Sequence, residues 1–167
     1  PQPSARRITG LCLDSRQCKP GDLFAALPGT TVDGKQFIPH AIEHGCAAVL
    51  TSDPAPDISV PCVTAPDPRQ ALGRMAAAFY APLPQHITAI TGTNGKTSVA
   101  YFCQQLWNIL GIHATSLGTI GIYQGTQCLT DSALTTPDPI TLYKTLSDLQ
   151  KQDISHIALE ASSHGLD

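Results

Sequence analysis

Apolar residues recur at two periods along this chain, and the switches between them lay out strands and helices in alternation. Residues 8–13 read as a strand and residues 23–27 as a second, parted by a turn at Lys19-Pro20-Gly21-Asp22. Pro28-Gly29 opens a loop that closes at Asp33-Gly34. Residues 36–44 carry helical spacing, with Phe37, Ala41 and Ile42 turned inward and Gly45 at the C′ position. Residues 47–50 and 60–63 are again strand-like. Asp67-Pro68 then supplies an N-cap and an N1 proline, with Gln70 at the capping-box position. The helix it starts presents Leu72, Met75, Ala76 and Phe79 on one face.

Ala81-Pro82-Leu83-Pro84-Gln85 interrupts the pattern, because two prolines stop the helix and stiffen the connection. It divides the chain into residues 1–85 and 86–167. The second part opens with Ile87-Thr88-Ala89-Ile90, expected to be a buried strand, and a helix over residues 99–110 closed by Gly111. Residues 114–117 read as a strand, and residues 118–129 as a hairpin turning at Gln124-Gly125. Asp138 and Pro139 start a helix with Leu142, Leu146 and Leu149 as its inner stripe. The last strand, residues 154–159, delivers Glu160 at its C-terminal end. The pattern is α/β in both parts: a small α/β domain, then a parallel sheet flanked by helices. About three parallel strands make a small sheet for that architecture, so the second domain is expected to be truncated.

Composition narrows the class only slightly. The 167 residues carry a net charge of −3, from 10 basic and 13 acidic side chains. No basic cluster exceeds Arg6-Arg7, so no nucleic-acid partner is expected. No apolar run reaches membrane-spanning length and no signal pattern opens the chain, which predicts a cytoplasmic protein without a membrane partner. A monomer is expected. Six cysteines occur, none as C-x-x-C. Cys46, Cys62 and Cys103 lie in apolar contexts and read as buried reduced thiols. His40-Ala41-Ile42-Glu43-His44 matches a zinc-protease pattern, but its helix is short and lacks a third ligand, so a solvated helix face is expected.

The chemistry concentrates in Thr91-Gly92-Thr93-Asn94-Gly95-Lys96-Thr97-Ser98, between a strand and a helix. Glycines let backbone N–H groups crowd an anion, and the helix N-terminus adds partial positive charge. Lys96 offers a point charge for terminal phosphates and Thr97 a hydroxyl for magnesium. The loop is not a full Walker A, because Ile90 stands where that pattern has its first glycine. Both the loop and Glu160 fall beyond strand C-termini, where parallel α/β sheets bind ligands.

The loop resembles the ATP loop of the Mur ligases and their folylpolyglutamate synthetase relatives. Leu13-Asp14-Ser15-Arg16 followed by Pro20-Gly21-Asp22-Leu23-Phe24 resembles the UDP-binding start of MurE and MurF ligases. Thr135-Thr136-Pro137-Asp138 and Glu160-Ala161-Ser162-Ser163-His164-Gly165-Leu166 resemble the MurE branch. The resemblance covers nearly the whole chain. It implies a UDP-sugar-binding domain over 1–85 and the beginning of a P-loop-type central ATPase domain over 86–167. Leu13, Ser15 and the Thr30-Thr31-Val32 loop would contact the uridine nucleotide, although family members often carry a His-Gln-Ala-like sequence at that loop. Gly92, Thr93, Asn94, Gly95, Lys96, Thr97 and Ser98 would hold ATP. Thr135, Thr136 and Ser162 would bind the muramoyl-dipeptide, and Glu160 would join Thr97 around magnesium, with Lys96, Thr97 and Glu160 as the catalytic group.

The implied reaction is ATP-dependent amide formation through an acyl phosphate. It adds the third amino acid, diaminopimelate or lysine, to UDP-N-acetylmuramoyl-L-Ala-D-Glu for peptidoglycan. A carbamylated lysine and an amino-acid-binding third domain would lie beyond Asp167, so this chain is expected to be an N-terminal fragment without turnover by itself. Two other readings are a MurF-type ligase and a non-catalytic nucleotide-sugar-binding fragment. A small P-loop kinase or GTPase is a further class, and the absence of an Asn-Lys-x-Asp run weighs against the GTPase.

Overall fold

The computed structural model describes residues 7–29, 32–55, 58–131 and 137–161. The chain divides into two compact units, residues 1–79 and 80–167.

The first unit is a four-stranded parallel sheet in the order β1 (Gly10–Cys12), β2 (Asp22–Ala25), β3 (Ala48–Thr51), β4 (Cys62–Thr64). All four residues of β2 and of β3 are buried. Central strands of a parallel sheet are covered on both faces, which is why they read as unbroken apolar runs. A 3-10 turn at Gly34–Phe37 leads directly into α1 (Ile38–Glu43). Asp33 caps that turn by accepting from the Lys35 amide at 2.9 Å. Gly45 ends α1 with φ of +87°, in the left-handed region that Gly tolerates. Phe24, Ala26, Ile38, Ala41 and Val49 form the core together with three thiols, Cys12, Cys18 and Cys46. In α2 (Pro68–Phe79) the Asp67 carboxylate accepts from the Gln70 amide at 2.9 Å, as an N-cap should.

Three sequence expectations are corrected in this unit. The fourth strand starts at Cys62, not at residue 60. Phe37 is 43% exposed, because the 3-10 turn rotates it off the face that Ile38 and Ala41 bury. Phe79, at the end of α2, is 41% exposed, while Leu72 and Ala76 are fully buried.

The second unit is a five-stranded mixed sheet. Its elements are β5 (His86–Ile90), α3 (Lys96–Ile109), β6 (Ala114–Gly118), β7 (Gly121–Gln124), β8 (Gln127–Thr130), α4 (Pro139–Gln150) and β9 (His156–Glu160). The spatial order is β5-β9-β6-β7-β8. Strands β5, β9 and β6 are parallel, and the β6-β7-β8 meander is antiparallel. Leu117, Ile122, Leu146, Leu149, Ile154 and Ile157 make its core, with Leu142 packed against them. Asp138 caps α4 through the amides of Ile140 and Thr141, with Pro139 in the first turn. Among the described residues no helix is long and apolar enough to cross a membrane.

One expectation fails here. Strand β5 is not buried: four of its five residues are exposed, Ile87 by 40%. Among the described residues it pairs with β9 alone. In α3 the apolar stripe Val99, Phe102, Leu106 and Ile109 is 47–80% exposed, and the buried positions are Ala100 and Gln104. Gln104 is fully buried and its amide pairs with the Gly125 carbonyl and amide, both at 2.8 Å. That contact ties the β7–β8 turn to α3.

Candidate functional site

The second unit builds a phosphate-sized loop from two glycines. Gly92 has φ of +149° and Gly95 of +79°, backbone that a side chain resists. Gly95 is also the N-cap of α3 and gives it no side-chain cap. The first-turn amides of the helix therefore keep their hydrogen-bonding capacity for an anion. Lys96 Nζ donates to the Gly92 carbonyl at 2.7 Å, which folds the lysine across the loop.

Thr97, one residue on, meets the end of β9. Its hydroxyl lies 3.0 Å from each Glu160 carboxylate oxygen. The register Ile90↔Glu160 explains why: the strand that enters the loop runs beside the strand that carries the acid. Thr119 donates to Glu160 Oε2 from both its amide and its hydroxyl, each at 3.1 Å. A Cβ at Gly118 would stand 2.4 Å from Glu160 Oε2, so the carboxylate fits only because that residue is glycine. Glu160 is 8% exposed, and among the described residues no basic side chain forms an ion pair with it. A buried carboxylate held by hydroxyls, without a cationic side chain, is a donor set suited to a hard divalent cation. Gly118 and Thr119 escaped the sequence reading, because a hairpin start gives no sign of the acid it faces.

The first unit holds a separate cavity of about 650 Å³, lined by Leu13, Asp14, Ser15, Arg16, Phe37 and His40. The segment between β1 and β2 forms one wall and the start of α1 the other. Ser15 is buried, with Oγ 3.0 Å from His40 Nδ1. Arg16 forks onto Asp14 through Nε at 3.0 Å and Nη2 at 2.7 Å, and its amide donates to the same carboxylate. These hydrogen bonds hold the Asp14 carboxyl at about 2. Phe37 and His40 were not expected here, although an apolar residue displaced from a core is one signal of a pocket wall.

The structure thus brings together Lys96, Thr97 and Glu160 in one unit, and Leu13 and Ser15 in the other. Val32 is 45% exposed and does not line the cavity. Thr30, Thr31, Thr135, Thr136 and Ser162 lie outside the described residues. The His40/Glu43/His44 pattern has both Nδ1 atoms engaged by the protein, His40 with Ser15 and His44 with the His40 carbonyl at 2.8 Å. Among the thiols Cys46 is buried as expected, whereas Cys62 and Cys103 are half-buried.

Comparison with known proteins bears on both units. The family described as "Mur ligase family, catalytic domain" matches residues 7–80, and "Mur ligase middle domain" matches residues 90–167. A UDP-N-acetylmuramoyl-L-alanyl-D-glutamate–2,6-diaminopimelate ligase of Bradyrhizobium diazoefficiens is 46% identical over the whole chain, which spans 34% of that relative. The Zymomonas mobilis protein of the same name is 44% identical over 96% of the chain and 33% of the relative. The chain therefore spans about a third of the length of these relatives. A solved structure of a ligase with that name superposes with a TM-score of 0.81 at 30% identity, over 95% of this chain and 33% of the other. MurF from Thermotoga maritima in complex with ADP superposes with a TM-score of 0.59 at 20% identity, over 95% and 32%, a likeness of fold alone. With two Mur ligase domains matching in tandem, over residues 7–80 and 90–167, this chain belongs to the Mur ligase family.

Proposed function

We propose that this chain supplies the nucleotide-sugar pocket and the phosphate loop of a cytoplasmic ATP-dependent amide ligase. The reaction joins 2,6-diaminopimelate to UDP-N-acetylmuramoyl-L-alanyl-D-glutamate in peptidoglycan precursor synthesis. The relatives' names support the substrate pair. The observation that carries the reading is the Thr97–Glu160–Thr119 cluster beside the glycine loop. The MurF-type reading is favoured less, since the MurF structures superpose at 20–26% identity with TM-scores of 0.59–0.61, against 30% and 0.81 for the diaminopimelate ligase.

In this reading the first unit holds the UDP end, with Leu13 and Ser15 in the cavity and Thr30, Thr31 and Val32 on the following loop. Thr135, Thr136 and Ser162 take the muramoyl-dipeptide. Gly92, Thr93, Asn94, Gly95 and Ser98 wrap the triphosphate with main-chain and hydroxyl donors. Lys96 turns from the Gly92 carbonyl to the terminal phosphates. Thr97 and Glu160 would hold magnesium, which neutralises charge on the β- and γ-phosphates when bound. The substrate carboxylate oxygen bonds to the γ-phosphorus as the bond to ADP breaks. The amine then bonds to the acyl carbon, inorganic phosphate leaves and the amine loses a proton. The protein's part is positioning and charge stabilisation.

Calorimetry with a non-hydrolysable ATP analogue and magnesium tests the phosphate half. Lys96→Ala and Glu160→Gln are each expected to weaken binding at least about tenfold, or ~1.4 kcal/mol. Affinities equal to wild type in both variants would overturn the assignment.

A further inference from the structure

The core of the first unit contains a convergence of two thiols and a carboxylate that the phosphate and nucleotide chemistry does not use. Cys12 ends β1, Cys18 lies in the segment between β1 and β2, and Asp22 starts β2. Their ligand atoms all lie within 4.8 Å of one another, and the three residues are 7%, 6% and 9% exposed. Cys46, 3% exposed, comes from a fourth segment and packs in the same core cluster. The Asp22 carboxylate packs against Gly10, where a Cβ would collide with it. Asp22 Oδ2 accepts from the Lys19 amide at 2.9 Å, which fixes the carboxylate's orientation. The Cys12 thiol donates to the Asp14 carbonyl at 3.0 Å.

We infer that Cys12, Cys18 and Asp22 form a binding site for a thiophilic divalent cation of the zinc class. Two thiols and a carboxylate at mutual separations below 4.8 Å match the span of a tetrahedral zinc shell, whose metal–ligand bonds are about 2.0–2.3 Å. Sulfur ligands select zinc or cadmium over magnesium, so the site does not compete for the cation of the phosphate loop. Binding forms two metal–sulfur bonds and one metal–oxygen bond and releases the Cys12 and Cys18 thiol protons to solvent. Because the thiols must lose their protons to bind, metal loading is favoured as pH rises.

The position gives the site a consequence. Cys12 and Cys18 bracket residues 13–17, and four of those residues line the 650 Å³ cavity. A cation joining the two sulfurs closes that segment into a short metal-clipped loop. It would brace the cavity wall from behind without touching the ligand.

Cadmium titration of the reduced chain, purified without a metal-affinity tag, is the direct experiment. One equivalent should bring up sulfur-to-cadmium charge-transfer absorption, and zinc should suppress it by competition. Cys12→Ser and Cys18→Ser should each weaken cadmium binding by at least about 100-fold, more than is usual for a residue behind the ligands. Cys103→Ser and Cys128→Ser should leave it unchanged. In the unaltered chain, zinc should slow alkylation of Cys12 and Cys18, read by mass spectrometry, and leave Cys62, Cys103 and Cys128 at their former rates. This readout stands even if a serine variant fails to fold. Absence of the charge-transfer band, or equal alkylation with and without zinc, would overturn the site.

Discussion

Glu160 is held by Thr97 and Thr119 in a space that exists because residue 118 has no side chain. A methyl group there would overlap Oε2, so Gly118→Ala should push the carboxylate off Thr119 and weaken magnesium-dependent binding of an ATP analogue. Magnesium titration at fixed analogue measures this, and an unchanged magnesium midpoint would show that the cluster tolerates the shift. The Asp14–Arg16 clasp gives a pH prediction. Asp14 is held at about 2, against an ordinary value near 3.9. A depressed carboxyl stabilises the fold above its unfolded value and loses that contribution as pH falls through about 2. The clasp is therefore intact at neutral pH and opens as pH falls through about 2, while its contribution to stability declines from about pH 4 downward. Carboxyl-carbon NMR should show Asp14 titrating near 2, moving toward its ordinary value in Arg16→Ala. Single residues were readable in the sequence where a local motif names them, as with Lys96, Thr97 and Ser15. Thr119, His40 and the Cys12/Cys18/Asp22 cluster were not, because tertiary register brings them to their partners and no local spacing encodes it.

The same limit shows in the elements. Helical periodicity located α3, and of its apolar residues Val99, Phe102, Leu106 and Ile109 are exposed. Periodicity reports that a helix has two faces and does not say which face meets the sheet. Strand β5 repeats the lesson, since an apolar run of four residues is compatible with the centre or the edge of a sheet. Caps were read correctly at Asp67 and Asp138, because a cap is a contact between residues two or three apart. What fixes α3 instead is Gln104, whose buried amide mimics a strand partner for Gly125. Gln104→Leu leaves the Gly125 amide and carbonyl without that partner and should cost about 1–3 kcal/mol, read from chemical denaturation. A loss below about 0.5 kcal/mol would show that water replaces the side chain at little cost. The same variant should speed hydrogen exchange at the β7–β8 turn.

Across the whole chain, each unit has its own apolar core. One core cluster draws its residues from positions 12–60 and the other from positions 83–159. Phe24 is 1% exposed in the first and Leu146 is 1% exposed in the second. Truncating either removes transfer energy and leaves a cavity, about 3–5 kcal/mol for Phe24→Ala and about 2–5 kcal/mol for Leu146→Ala. Because the two clusters share no residue, the loss should stay within one unit in each case. Hydrogen exchange followed by peptide mass spectrometry separates the possibilities. Phe24→Ala should lower protection in β1 to β4 and leave β5 to β9 as they were, and Leu146→Ala should do the reverse. Equal loss in both units from either change would mean that the chain unfolds as one cooperative body. Nucleotide-sugar binding and phosphate-loop stability could then not be altered separately by mutation. Independent losses would mean that each half of the proposed ligase chemistry rests on its own core.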